Sequence, residues 1–198
     1  FFYLGGKGMI DLQVVSISRL GLKVLKETGG GRRPMIDKYG RHMLLASIMG
    51  EKQEELGLYR GLEKKNSFIE IVNNFISELK QYGTTPEALT EIIDDLDDGA
   101  FLKRKLSDIH TIYESYQEQI KYRYLDTEDY VDLYTARISE SRNVAESVVW
   151  IYGFDTFTPK NMQVIEQLIR HAAEVNLVLT YDKGGRDEEL FYLTGGLI

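Results

Sequence analysis

The residues of this chain that could do chemistry are its 3 His, one acidic run, one glycine cluster with a lysine, and two polar turns that follow apolar runs. His42, His110 and His171 fall on separate predicted helices, without the paired spacing that brings two imidazoles to one metal. Packing or solvent is their expected environment. The run Asp94-Asp95-Leu96-Asp97-Asp98-Gly99 has the acidity of a calcium loop, but its third position is Leu96 and its twelfth, where a bidentate Glu belongs, is Lys105. It reads as a solvated helix end and turn. Gly5-Gly6-Lys7-Gly8 follows no strand and precedes no hydroxyl, so it lacks what a phosphate-cradling loop needs. With no Cys and no Ser in a Gly-x-Ser-x-Gly elbow, hydrolase chemistry has no visible nucleophile.

Contact with nucleic acid is the remaining chemistry. Of the 13 Tyr, Tyr113 and Tyr116 continue an apolar stripe and read as core. Tyr122 and Tyr124, flanking Arg123 beside Lys121, read either as an exposed stacking pair with cations for phosphate or as an ordinary helix connection. Lys103-Arg104-Lys105 reads as a wet helix face, and Gly29-Gly30-Gly31 with Arg32-Arg33 as a helix stop and solvated basic turn. Two further turns lie beyond the carboxyl ends of predicted strands, where open parallel sheets bind ligands. These are Ser16-Ile17-Ser18-Arg19 and Gly153-Phe154-Asp155-Thr156-Phe157-Thr158. Their hydroxyls, Arg19 and the first N–H groups of the helices that follow suit phosphate or backbone contact, while Ser18 and Thr158 equally suit helix capping.

The elements that must position these turns follow from periodicity. Leu12 to Ile17 is a β-branched run followed by helical spacing at Leu20, Val24 and Leu25, hence strand then helix. Val148 to Tyr152 is a second strand. Thr158-Pro159 opens a helix with Met162, Ile165, Leu168 and Ile169 inward, and Val175 to Tyr181 is a third strand. Strand, helix, strand with short links is a βαβ unit, so the two ends of the chain are expected to share a parallel sheet. Between them the pattern is helical. Residues 36 to 49 place Tyr39, Met43, Leu44 and Ile48 on one face, and residues 67 to 82 do so with Phe68, Ile71, Val72, Phe75, Ile76 and Leu79. Thr85-Pro86 opens another helix, and Phe101 to Lys121 forms the longest, with Leu102, Leu106, Ile109, Tyr113, Tyr116 and Ile120 inward. Asp126 starts one ending near Ser139. The fold class is α/β, a parallel sheet interrupted by a large helical insertion, with residues 1–35 and 141–198 in the sheet domain and 36–140 in the insertion.

Composition bounds what such a chain can do. At 43% hydrophobic and 28% charged residues, 198 residues can bury a core, and disorder is not expected. The net charge of −7 excludes a uniformly basic nucleic-acid surface, so any DNA contact is local. The absence of Cys removes disulfides, thiolate metal sites and iron–sulfur ligation, and favours a reducing, cytoplasmic setting. No apolar run is long enough to span a membrane. Phe1 at one end and Ile198 at the other do not read as natural termini, and both ends are expected to be cuts within a longer chain.

The order of these segments resembles superfamily 1 helicases of the UvrD and RecB type. The likeness is carried by Ser16-Ile17-Ser18-Arg19-Leu20-Gly21-Leu22-Lys23-Val24-Leu25, Ile112-Tyr113-Glu114-Ser115-Tyr116 and Tyr124-Leu125-Asp126-Thr127-Glu128-Asp129-Tyr130. Within that group, Ile151-Tyr152-Gly153-Phe154-Asp155-Thr156-Phe157-Thr158-Pro159 followed by Val164-Ile165-Glu166 is similar to the AddB family, RexB-like subunits of the bacterial ATP-dependent helicase/deoxyribonuclease. The resemblance covers nearly the whole chain. It implies the degenerate P-loop NTPase-like domain of a subunit that grips and scans single-stranded DNA while an AddA-like partner supplies the motor. The implied process is resection of double-stranded DNA ends for recombinational repair.

The resemblance also assigns residues. Active relatives carry an adjacent Asp and Glu at the end of the second strand, for magnesium and for the attacking water. Here that position holds Gly153-Phe154, or Phe154-Asp155 with a one-residue shift, a degenerate Walker B position. Ser16, Ser18 and Arg19 match the segment that touches the DNA backbone, and Tyr122, Arg123 and Tyr124 are the stacking candidates. ATP with magnesium and an iron–sulfur cluster are implied for the longer parent, and no cofactor for this stretch. Two other readings compete. One is an active ATPase core whose phosphate loop lies upstream, with Asp155 as metal ligand. The other is a docking module for the partner subunit, with exposed apolar side chains near residues 52 to 66 beside Lys64 and Lys65.

Overall fold

A computed structural model describes residues 12–30, 33–154 and 157–179. Among them run α1 (Ile17–Thr28), α2 (Lys38–Glu51), α3 (Asn66–Gln81), α4 (Pro86–Asp94), α5 (Phe101–Ile120) and α6 (Thr127–Thr135). A 3₁₀ turn (Ile138–Glu140), α7 (Arg142–Ala145), β1 (Val148–Tyr152), α8 (Pro159–His171) and β2 (Glu174–Val178) follow. The fold is mixed α/β, mostly helical, with one small parallel sheet among the described residues.

Local chemistry sets most helix starts. Asp37, Thr85, Asp126 and Thr158 each precede a helix in extended backbone, and the side-chain oxygen of each accepts a first-turn N–H. Pro86 and Pro159 occupy first-turn positions, where a missing N–H is harmless. The sequence reading of Thr85, Asp126 and Thr158 as helix starts holds.

The βαβ expectation also holds: β1 pairs with β2 in parallel, Val148 opposite Glu174 through Tyr152 opposite Val178, with α8 as the connection. The N-terminal strand does not. Residues 12–16 form no ladder among the described residues, and Leu12 and Val14 are exposed at 57% and 90%. A strand exists by its neighbour, and the β-branched composition of this run supplies none. The helix also begins earlier than expected, because Ser16, and not Ser18, accepts the Arg19 N–H at 3.3 Å.

Two hydrophobic clusters organise the rest. The first joins α2, α3, α4 and α5 around Leu45, Ile48, Val72, Ile76, Ile112 and Tyr116. The second joins α1, α6, α8 and β1 around Val24, Tyr134, Ile138, Ile151, Val164 and Leu168. Among the described residues, the segment before α2 therefore meets α8 and β1 through α1, not through a strand. Gly21 makes that approach: a Cβ there would lie 2.2 Å from Cδ1 of Tyr134 on α6.

The inward faces differ from the periodic reading at several positions. Tyr39 and Met43 are exposed, while α2 buries Ile48 as expected and, with it, Arg41, Leu45 and Met49. Ile71, Leu102, Met162 and Ile169 also face solvent. On α2 the cause is electrostatic: Arg41 pairs with Glu128 at 3.2 Å and donates to Ser77 at 2.7 Å, turning a face that looks polar in sequence toward the core. Helix α6 ends at Thr135, short of Ser139, and the 3₁₀ turn follows.

Candidate nucleic-acid interface

The first candidate patch is the start of α1. Ser16, Ser18 and Arg19 are all exposed, while Ile17 and Leu20 anchor the turn to the second cluster. Ser16 caps the helix with its Oγ, and Ser18 lies inside the first turn with its hydroxyl toward solvent. One exposed cation, two hydroxyls and a helix N-terminus suit a phosphate backbone.

The second patch is the turn after α5. Tyr122 is 80% exposed and Tyr124 40%, Arg123 is exposed, and the Lys121 ammonium lies 5.6 Å from the Tyr122 ring centroid. The turn is tied down by the segment after α1. The Arg33 guanidinium donates to the carbonyls of Lys121 and Tyr124, the Leu125 N–H donates to the Pro34 carbonyl at 2.9 Å, and the Ile36 N–H to the Leu125 carbonyl at 2.8 Å. Arg33, read from sequence as part of a solvated basic turn, is thus a positioning residue. The two patches ride on different clusters, one on α1 and the other at the end of α5.

At the carboxyl end of β1, Gly153 takes φ +80°, a conformation glycine adopts without strain. Phe154 then stacks on Phe157 with centroids 5.4 Å apart and an interplanar angle of 20°, and both rings pack against the second cluster. Neither Gly153 nor Phe154 carries a side-chain oxygen. Asp155, together with Gly5-Gly6-Lys7-Gly8, lies outside the described residues.

Sequence reasoning missed the charged seam between the clusters. Lys80, 4% exposed on the inner face of α3, pairs with Asp126 and with Asp129, both at 2.6 Å, and Tyr116 donates to Asp126 at 3.2 Å. Burial pushes the Asp126 carboxyl up, but the Lys80 ammonium and the Asp129 N–H outweigh it and hold the group below its ordinary value. Burial raises Asp129, with Lys80 opposing and the Asp126 charge adding to the rise. Burial likewise lifts the Tyr113 hydroxyl to about 12. A groove of about 290 Å³ beside the seam is lined in part by Thr84, Gln117, Lys160 and Gln163. Its two lysines are already neutralised, Lys80 by Asp126 and Asp129 and Lys160 by Asp132, so it offers no anion site. The visible signal was Lys80 itself, four residues after Ile76 on an apolar stripe.

The exposed apolar side chains expected near residues 52 to 66 are not found. Leu56 is 4% exposed, and Tyr59 and Leu62 pack on the first cluster. The loop is drawn inward by Asp108, whose buried carboxylate accepts the N–H groups of Gly57 (2.9 Å), Leu58 (2.7 Å) and Tyr59 (2.8 Å). The histidines stay apart on α2, α5 and α8, His110 pairing with Thr90 at 2.9 Å.

The sequence family described as "ADDB, N-terminal" matches residues 3–197. The chain belongs to the AddB N-terminal family. Among curated members similar to it, an ATP-dependent helicase/deoxyribonuclease subunit of Geobacillus kaustophilus is 38% identical over 200 residues, covering 96% of this chain and 17% of that protein. The protein of the same name in Desulforudis audaxviator is 37% identical over 196 residues (96% and 17%), and that of Alkaliphilus metalliredigens 34% over 189 (94% and 16%). This AddB N-terminal chain therefore spans 16–17% of the length of the relatives it matches. Among the described residues no helix is long and apolar enough to cross a membrane.

Proposed function

We propose that this chain is a non-catalytic, helicase-like module of an AddB-type subunit in an ATP-dependent helicase/deoxyribonuclease. It grips single-stranded DNA during resection of double-stranded ends for recombinational repair, alongside an AddA-like subunit that supplies the motor. Family membership supports the setting. The observation that supports the non-catalytic reading is that Gly153 and Phe154 bring no side-chain carboxylate to the end of β1, where the Phe154 ring instead packs on Phe157. The chain's own residues do not fit a magnesium–nucleotide complex at Gly153-Phe154, and without Cys they cannot ligate an iron–sulfur cluster. Both groups belong to other parts of the complex in this reading.

DNA contact falls to Ser16, Ser18 and Arg19 for the backbone and to Tyr122, Arg123 and Tyr124 for stacking. In this reading residues 1–35 and 141–198 form a degenerate P-loop-like domain and 36–140 a helical insertion; the two clusters support two units, but with α6 and the 3₁₀ turn packed in the second, beside α1, α8 and β1. Fluorescence anisotropy with a single-stranded oligonucleotide, on the full-length subunit, tests the contacts. Tyr122→Ala with Tyr124→Ala is expected to weaken binding by about 5–150-fold, one stacked base's worth. Arg19→Ala should lower the salt slope by about one. Unchanged affinity and slope in both variants would remove these residues from the interface.

A further inference from the structure

The turn that carries Tyr122 and Tyr124 is fastened on both sides of its tip by a residue 88 to 91 positions away in the chain. Before the tip, the Arg33 guanidinium donates to the Lys121 carbonyl at the end of α5, where the last carbonyls of a helix lack in-helix donors and favour a cation. After it, the same Nη1 donates to the Tyr124 carbonyl at 3.5 Å. The next residue, Leu125, is held through its N–H by the Pro34 carbonyl and through its carbonyl by the Ile36 N–H, a parallel bridge with Met35 opposite Leu125. Leu125 is also buried, so this side of the turn is packed as well as hydrogen-bonded. The tip, Tyr122 and Arg123, is thereby left between two fixed points with both tyrosine rings outward. A ring on a free loop must be ordered at the moment a base stacks on it, whereas a ring on a braced turn has met that entropic cost during folding. Arg33 also differs from its cationic neighbours: Lys121 and Arg123 are exposed, while Arg33 is half-buried and its Nη1 is engaged by backbone carbonyls.

We propose that Arg33 is a positioning residue for single-strand binding: it touches neither base nor phosphate, and it strengthens stacking by holding the Tyr122–Tyr124 turn in its binding conformation. This role rests on the stacking reading given above. Anisotropy titrations of the full-length subunit with a single-stranded oligonucleotide, over a range of salt, compare Arg33→Gln and Arg33→Lys in the parent and in the Tyr122→Ala/Tyr124→Ala background. Arg33→Gln is expected to weaken binding by about 2–12-fold in the parent, the ordering cost of one side chain, with the salt slope unchanged. Once the tyrosines are gone it should have no further effect, the coupling expected of a residue that acts through them. Arg33→Lys keeps the charge but replaces a planar fork with one ammonium, so it should lie between. Amide exchange should quicken at Leu125 in Arg33→Gln while Ile112, inside α5, keeps its protection; a variant that loosens both has lost the fold, and Arg33→Lys then carries the comparison. An equal loss in both backgrounds, or a salt slope lower by about one, would overturn the proposal, the second by making Arg33 a phosphate ligand. Unchanged affinity at Arg33, beside a tyrosine pair that does weaken binding, would remove this role and leave the stacking reading standing. A silent tyrosine pair would bring down both.

Discussion

Replacing Asp108 with alanine tests how the long loop between α2 and α3 is held. The carboxylate is 4% exposed and accepts three consecutive backbone N–H groups at 2.7–2.9 Å. Hydrogen bonds to a charged acceptor are each worth about 1.5–3 kcal/mol, but the three share one acceptor, and water can reach Gly57, which is exposed. The net loss is then about 2–4 kcal/mol, most of it from Leu58 and Tyr59. At roughly 2–4 °C per kcal/mol for a chain of this size, the melting temperature should fall by about 5–15 °C. Asp108→Asn keeps one oxygen for two of the donors and turns an NH₂ toward the third, so it should lie between the two. Circular dichroism melts give the stability, and amide exchange at Leu58 and Tyr59 locates it. Alanine melting within about 1 °C of the parent with unchanged exchange at both amides would refute the reasoning.

Three further outcomes are expected. Gly21→Ala forces a methyl into the Tyr134 ring and should cost about 1–3 kcal/mol in a denaturant titration, with Tyr134→Leu partly restoring it. Lys80→Met leaves Asp126 buried, and Asp129 half-buried, without their cation, a loss of about 3–5 kcal/mol, read as a lower unfolding midpoint. The Ser141 hydroxyl leads the contacts holding the Glu27 carboxyl below its ordinary value, joined against partial desolvation by the Asn143 side chain and the N–H groups of Asn143 and Arg142. Its contribution is therefore present above the unfolded-state pKa and lost as pH falls through the depressed folded value, so Glu27→Gln should flatten the acid side of the stability profile.

Much of this architecture is legible because it is written locally. Thr85-Pro86, Asp126 and Thr158-Pro159 announce helix starts by their own side chains, and the apolar run Val148–Tyr152 is closed off by Gly153. What is not legible is pairwise and distant. Leu12 to Val15 has strand composition but finds no neighbour among the described residues, and Arg41 reads as surface until Glu128, far along the chain, faces it. Asp108 looks like one more charge on α5 until the loop at Gly57–Tyr59 folds over it. Of the candidate contacts, the sequence marks exposure at Tyr122 and Arg19 correctly, but it cannot show Arg33 bracing the tyrosine turn.

The non-catalytic reading stands or falls on whether the end of β1 takes part in phosphoryl transfer. DNA-stimulated ATP turnover by the assembled helicase/deoxyribonuclease, with Asp155→Ala in its AddB-type subunit, decides it. Turnover equal to the parent complex, within about twofold, is the predicted result. A fall of about a hundredfold or more, the scale of losing a metal-binding carboxylate in phosphoryl transfer, would contradict it.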